Sequence, residues 1–179
     1  MIIETCALLP RTALTDKVEA LTKSAQRRTD PQWQVILQVA HKLNLAGIPY
    51  HFDASTILFV HGIEIEMDDV DISIQWDEFE VAHDLFADYC ATPIIEKDSW
   101  HQFRAIIDGV DLHFLSAKGM MDLKTHSERE QLFIKDTVLW SKTVTFYRRH
   151  MDNDHPWIAR VDQFLQNDPN SDVGTQSHV

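Results

Sequence analysis

The sequence predicts an α/β fold: a mixed, twisted sheet of about five strands backed by helices, with a helical C-terminal segment packed alongside. Three observations carry this prediction. Val70, Ile72 and Ile74 alternate with Asp69, Asp71 and Ser73, the period of a strand with one buried face. Asp108-Gly109 lies between two apolar runs, 103–107 and 110–115, which is a two-residue hairpin signal. Asp30-Pro31 precedes Val35, Ile36, Val39, Leu43 and Ala46 on one helical face, and Gly47 follows, so this helix has both its start and its stop.

The other elements follow in chain order. Residues 1–30 form an N-terminal helical extension, with a sparse apolar pattern from Leu14 to Arg28. Ile48 to Phe52 reads as a short strand. The run Ile57-Leu58-Phe59-Val60 fits a buried strand or a buried helical turn equally well. An amphipathic helix is expected over 79–89 and a short strand over 93–96. Ser127-Glu128-Arg129-Glu130 has the capping-box pattern and predicts a long helix from there to about His150. On that helix Trp140, Phe146 and Tyr147 would belong to the core or form a helix-docking face. A last helix fits Pro156 to Leu165, with Asp154 as its cap. The expected organisation is a main domain over 31–150, a C-terminal helix over 151–166 and a polar, disordered tail over 167–179.

Composition excludes several classes of function. The chain has 179 residues, with 28 Asp and Glu against 16 Lys and Arg, for a net charge of −12. That balance argues against a protein that grips duplex nucleic acid by its phosphates. No apolar run approaches the roughly 20 residues that span a bilayer, and no cationic leader precedes an apolar core, so the expected location is the cytoplasm. Cys6 and Cys90 form no disulfide framework and match no zinc spacing. There is no Walker A loop and no nucleophile elbow. The charge is uneven: residues 51–100 hold 13 Asp and Glu and one Lys, whereas 101–150 hold 8 Lys and Arg and 6 Asp and Glu. Either these are two solvated faces, or an acidic metal centre faces a basic element that holds an anion.

Asp68-Asp69-Val70-Asp71 is the most informative stretch. Carboxylates at i and i+2 of a strand share a face, with side chains roughly 5–7 Å apart. Two such charges repel unless a cation lies between them, and hard carboxylate oxygens suit Mg²⁺, which takes substrate phosphates as further ligands. If the strand containing Asp111 lies beside 70–74, Asp111 completes a three-carboxylate cluster able to hold two ions. Asp108 competes for that role, although its place before Gly109 suits a turn residue. His113 shares a strand face with Asp111 and is a candidate outer-sphere group or base. Upstream, Asp53-Ala54-Ser55 joins a strand to the apolar run, where backbone N–H groups and the Ser55 hydroxyl can meet a phosphate. Lys124, Arg129 and Lys135 either cover the acidic centre or pair with Glu128, Glu130 and Asp136 along a helix.

This order resembles the nucleotidyltransferase superfamily that shares the DNA polymerase beta catalytic fold: a strand, a small-Ser turn, an apolar segment ending in His61-Gly62, Asp69-x-Asp71 opening a strand, and Asp111 on a later one. Within the superfamily it is most similar to the small antibiotic-type and minimal nucleotidyltransferases. The resemblance covers roughly residues 33–140. It implies that Asp69, Asp71 and Asp111 are metal-binding carboxylates, that Ala54-Ser55 stands where a Gly-Ser turn contacts nucleotide phosphates, and that Arg129 and Lys135-Asp136 match an Arg…Lys-Asp pattern after the catalytic core. The implied activity is a Mg²⁺- or Mn²⁺-dependent transfer of an NMP group from an NTP, ATP by expectation, to an acceptor hydroxyl or phosphate on a small molecule or macromolecule. Asp69, Asp71 and Asp111 would be catalytic, Ser55 would touch the β,γ-phosphates, and Lys135 would neutralise the leaving group. Ala54 in place of glycine, with Asp53 before it, motivates an alternative: a non-catalytic protein on the same scaffold, acting as a regulatory or toxin–antitoxin-type partner.

Overall fold

A computed structural model describes residues 30–119, 122–134 and 136–167. The expected N-terminal helix, the polar tail beyond 167 and Lys135 therefore lie outside the described residues. The elements are α1 (Pro31–Ala46), β1 (Tyr50–Phe52), α2 (Ala54–Val60), β2 (Val70–Ile74), a 3₁₀ turn (Trp76–Glu78), α3 (Phe79–Leu85), β3 (Ile95–Lys97), β4 (Trp100–Ile107), β5 (Val110–Ala117), β6 (Arg129–Ile134), β7 (Thr137–Lys142), α4 (Val144–His150) and α5 (Ile158–Asn167). The strands form one sheet in the order β3-β4-β5-β2-β1-β7-β6. β1 pairs with β2, and β4 with β5, antiparallel, whereas β2 runs parallel to β5 and β1 parallel to β7.

Local chemistry explains the elements that match the sequence reading. The Asp30 carboxylate accepts the Gln32 N–H at 2.8 Å and caps α1 above Pro31. Gly47 closes the helix at φ +70°, a left-handed position that glycine adopts without a Cβ penalty. The buried stripe of α1 (Trp33, Ile36, Val39, Ala40 and Leu43 among others) is fully or almost fully covered, and it joins one core with Tyr50, Phe52, Ile72, Phe103, Leu112 and Phe114. The ambiguous run resolves as helix α2. Its Ile57 and Leu58 open a second, smaller core with Ile63, Val144 and Val161, on which the C-terminal helices α4 and α5 pack.

The sheet has seven strands rather than about five. The difference lies mainly at 127–142, where the expected long helix is instead the antiparallel pair β6–β7, followed by a short α4 capped by the Thr143 hydroxyl. The capping-box signal is local, whereas β1 is a three-residue strand whose free edge needs a partner. β7 supplies it, with Phe52 opposite Ser141. Leu132 and Leu139 then turn toward the helices, whereas Phe133 is 70% exposed. α3 is also shorter than expected: it ends at Leu85, and the chain turns so that Phe86 is buried.

Phe114 is fully buried, stacks on Phe103 with centroids 4.4 Å apart and lies 4.7 Å from Phe86. Truncation leaves a cavity that three strands and a helix turn cannot collapse into. We expect Phe114→Ala to cost about 3–5 kcal/mol in urea denaturation. A loss below about 1 kcal/mol would mean that this is not the centre of the core.

Candidate active site

The strands that carry the apolar core present a polar set on their opposite face. Pairing of His51 with Ser73, of Asp71 with His113 and of His113 with Arg104 places these side chains together, because residues directly opposite in a sheet share a face. Parity adds Gln102, Asp111 and Lys142 to that face. β1 leaves it through a turn stitched to β2: the Asp53 N–H donates to the Asp71 carbonyl at 3.0 Å, and the Asp71 N–H donates to the Thr56 hydroxyl at 2.9 Å. Ala54, inside this turn, holds φ +48°, a left-handed conformation that a Cβ disfavours. The backbone thus takes the shape a glycine would take without strain. Ser55, half-buried, follows in the first turn of α2.

Asp69 and Asp71 do come together, and the third member of the group is His113. One ligand atom from each of the three lies within 4.8 Å of the others. The His113 Nδ1 is 3.2 Å from Asp71 Oδ1, and its Nε2 is 3.0 Å from the Gln102 carbonyl oxygen. Arg104 reaches Asp69 Oδ2 at 3.3 Å. Burial and the neighbouring Asp71 charge push the Asp69 carboxyl up, against the pull of Arg104 and His113. Asp111 is exposed, paired with Ile106 and two residues before His113 on the same strand face, outside the three-residue group. Two carboxylates and an imidazole, crowded and partly desolvated, form a donor set that fits a divalent cation.

Asp53 belongs to a neighbouring network. It accepts from the Ser73 hydroxyl at 2.8 Å and from Lys142 Nζ at 2.8 Å, and the His51 Nε2 lies 3.4 Å away. Burial alone would raise this carboxyl, but the His51 hydrogen bond and the Lys142 charge outweigh it and hold Asp53 far below the usual carboxylate range. Burial depresses the His51 imidazole despite Asp53, and its Nδ1 is buried without a hydrogen-bond partner. The Lys142 ammonium also sits 4.4 Å from the Phe146 ring centroid. From α4, Tyr147 faces the acidic group: burial and the Asp71 charge both raise its phenol.

Lys142, His51 and the placement of His113 against Asp71 escaped the sequence reading. His113 carried a signal, its parity with Asp111, but its place opposite Asp71 depends on the β2–β5 register. Lys142 carried none, because its segment read as helix. Arg129, singled out in the sequence, is structural: its Nε donates to the Tyr50 carbonyl at 3.1 Å, and its guanidinium stacks 3.6 Å from the Trp140 ring centroid. Lys135 lies outside the described residues.

Two predictions follow from this geometry. The folded state holds fewer protons on His51 and Asp53 than the unfolded chain does, so acidification destabilises it. The His51 contribution is lost as pH falls below its ordinary value of 6.5, and that of Asp53 below about 3.8. His51→Gln should flatten the stability loss between pH 7 and pH 5 in urea midpoints; an unchanged slope would refute the assignment. Asp69 acts in the opposite sense. Its raised carboxyl favours folding below its ordinary value of 3.8, and that favour is lost as pH rises through the folded value. Ala54→Gly should raise stability by about 0.5–1 kcal/mol, since relief of the left-handed strain exceeds the added unfolded-state entropy. A loss of stability would show that the turn is not strained.

By sequence the chain matches no protein-family model and, at a significant level, no curated protein. By structure it is similar to TM1012, a candidate nucleotidyltransferase from Thermotoga maritima, with a TM-score of 0.56 and 11% identity over 74% of this chain and 88% of that one. It is also similar to ANT(2″)-Ia in complex with adenylyl-2″-tobramycin, with a TM-score of 0.53 and 10% identity over 76% of this chain and 90% of that one. The chain therefore has a nucleotidyltransferase-like fold, with the Asp69, Asp71 and His113 group on the open face of its sheet.

Proposed function

We propose that this protein is a metal-dependent nucleotidyltransferase that moves an NMP group from an NTP to an acceptor hydroxyl or phosphate. The observation that carries the reading is the convergence of Asp69, Asp71 and His113 beside the Asp53–Thr56 turn, on a fold shared with nucleotidyltransferases. The complex of ANT(2″)-Ia with adenylyl-2″-tobramycin favours ATP as donor and a small-molecule hydroxyl as acceptor. No described helix is long and apolar enough to cross a membrane, and a cytoplasmic enzyme would meet both ATP and divalent ions.

A bound divalent cation would neutralise charge on the reacting phosphate and the leaving pyrophosphate. Asp69, Asp71 and His113 would hold it. The turn at Ala54-Ser55 would bring backbone N–H groups and the Ser55 hydroxyl against the β,γ-phosphates. Lys142 takes the cationic role first expected of Lys135. Asp53 and the Phe146 ring keep its ammonium beside the turn, from which it would transfer to a phosphate oxygen. Asp111, exposed next to the centre, would meet the acceptor and accept its proton. Most of the rate gain would come from charges already fixed in place before the nucleotide arrives.

Binding to the native state alone must stabilise it, by about 2.7 kcal/mol at ligand 100-fold above Kd. We expect ATP with Mg²⁺ or Mn²⁺ to raise the melting temperature. Screening labelled NTPs against small-molecule, RNA and protein acceptors should give transfer that Asp71→Asn reduces by about 100-fold or more. In EDTA that variant should melt at or above the wild-type temperature, because a repelling charge is gone. Lys142→Ala should raise the KM for the NTP with a weaker salt dependence, and an unchanged KM would remove Lys142 from the site. The alternative, a non-catalytic partner protein, draws on the strained Ala54 and on the mutual neutralisation of Asp53 and Lys142. It is favoured if no nucleotide shifts the melting temperature.

A further inference from the structure

We propose that His113 is a direct metal ligand and that it biases the centre toward a first-row transition ion, of which Mn²⁺ and Co²⁺ are the probes, over Mg²⁺. This rests on the reading of the site as a metal-dependent nucleotidyltransferase and specifies its ion. The tautomer of His113 is fixed from outside the group. The Gln102 Oε1 is a carbonyl oxygen, which only accepts, so the His113 Nε2 at 3.0 Å is the protonated nitrogen. A ring that binds a metal is neutral, and with Nε2 protonated its Nδ1 lone pair is directed toward Asp71 Oδ1, 3.2 Å away. Two lone pairs facing at that distance repel unless a positive charge lies between them, either a ring proton or the ion that displaces it. Asp69 stands within 4.8 Å as a third donor, so a cation there is shared by three groups rather than two.

The arrangement has the features of a ligating histidine. One ring nitrogen faces the ion, while the other donates to a carbonyl that orients the ring. The positions are rigid, because Asp71 and His113 are directly opposite on the paired strands β2 and β5, and Gln102 and Arg104 flank them from β4. The side chains of Asp71 and His113 are only 13% and 17% exposed, so water does not substitute freely for either donor. An all-carboxylate set suits Mg²⁺, which demands hard oxygen ligands. Replacing one carboxylate by imidazole lowers the charge on the hard donors and adds a nitrogen that first-row transition ions bind better.

The test uses the full chain without nucleotide. Pulsed EPR of bound Mn²⁺ should show nitrogen coupling from His113, and Mg²⁺ competition should give an Mn²⁺ affinity at least about tenfold higher. His113→Asp restores three carboxylates; it should abolish the nitrogen coupling and reduce the Mn²⁺ preference about tenfold, mainly through tighter Mg²⁺ binding. Gln102→Ala should retain the coupling but weaken Mn²⁺ about tenfold, through the loss of ring orientation. Thermal melts in EDTA verify that each variant folds. Bound Mn²⁺ without nitrogen coupling, or an unchanged preference in His113→Asp, would overturn the proposal while leaving nucleotidyl transfer standing. If neither ion binds, with or without ATP, the nucleotidyltransferase reading fails as well.

Discussion

The parallel pairing of β2 with β5, in the register that sets Asp71 against His113, is the constraint on which the rest of the site depends. Register in a sheet is enforced by the buried face, because a slip of one residue would send Val70, Ile72 and Ile74 to solvent. The apolar residues therefore place the polar ones. Val70 opposite Leu112 and Ile72 opposite Phe114 are core contacts, and Asp71 opposite His113 is their consequence on the other face. β4 extends the same logic, since burial of Phe103 against Phe114 leaves Gln102 and Arg104 beside the imidazole.

A second dependence links β1 to β7, far apart in sequence. Asp53 follows β1, yet its partners come from β1 itself, the first residue of α2, β2 and the last residue of β7. A desolvated carboxylate at this position is tolerated because four donors converge on it, and removing the Lys142 charge would leave it poorly compensated. The Lys142 ammonium is held in turn by Asp53 and by Phe146 of the adjoining helix. The turn that precedes α2 is thus fixed from both sides, by Asp71 of β2 and by the C-terminal strand. α4 and α5 add weight to this end of the sheet by packing on α2.

The acidic face and the apolar face also differ in their energetic role. The apolar face contributes stability through area removed from water. The polar face holds the Asp69 carboxyl, raised by burial and by repulsion from Asp71, and a buried His51 nitrogen without a partner, both of which cost stability. Perturbed and crowded titratable groups of this kind cluster at functional sites.

Much of the fold was legible in the residues alone. Strand alternation at 70–74, the Asp108-Gly109 hairpin and the capped α1 were readable because each rests on contacts within a few residues. Asp69-x-Asp71 was readable as a cation-seeking pair for the same reason: its geometry is that of one strand. Tertiary structure decided what depends on neighbours distant in sequence. The segment 129–142 carries a capping-box signal, yet it folds as strands because the edge of β1 requires pairing, and only the assembled sheet exposes that requirement. Lys142 becomes the cation beside Asp53 for this reason, and a helical reading of its segment could not have placed it there. The residue facing Asp71 was decided in the same way. Asp111 and His113 occupy equivalent faces of one strand, so sequence parity leaves both eligible, and the inter-strand register, fixed by the burial of Leu112 and Phe114, brings the imidazole rather than the carboxylate to Asp71.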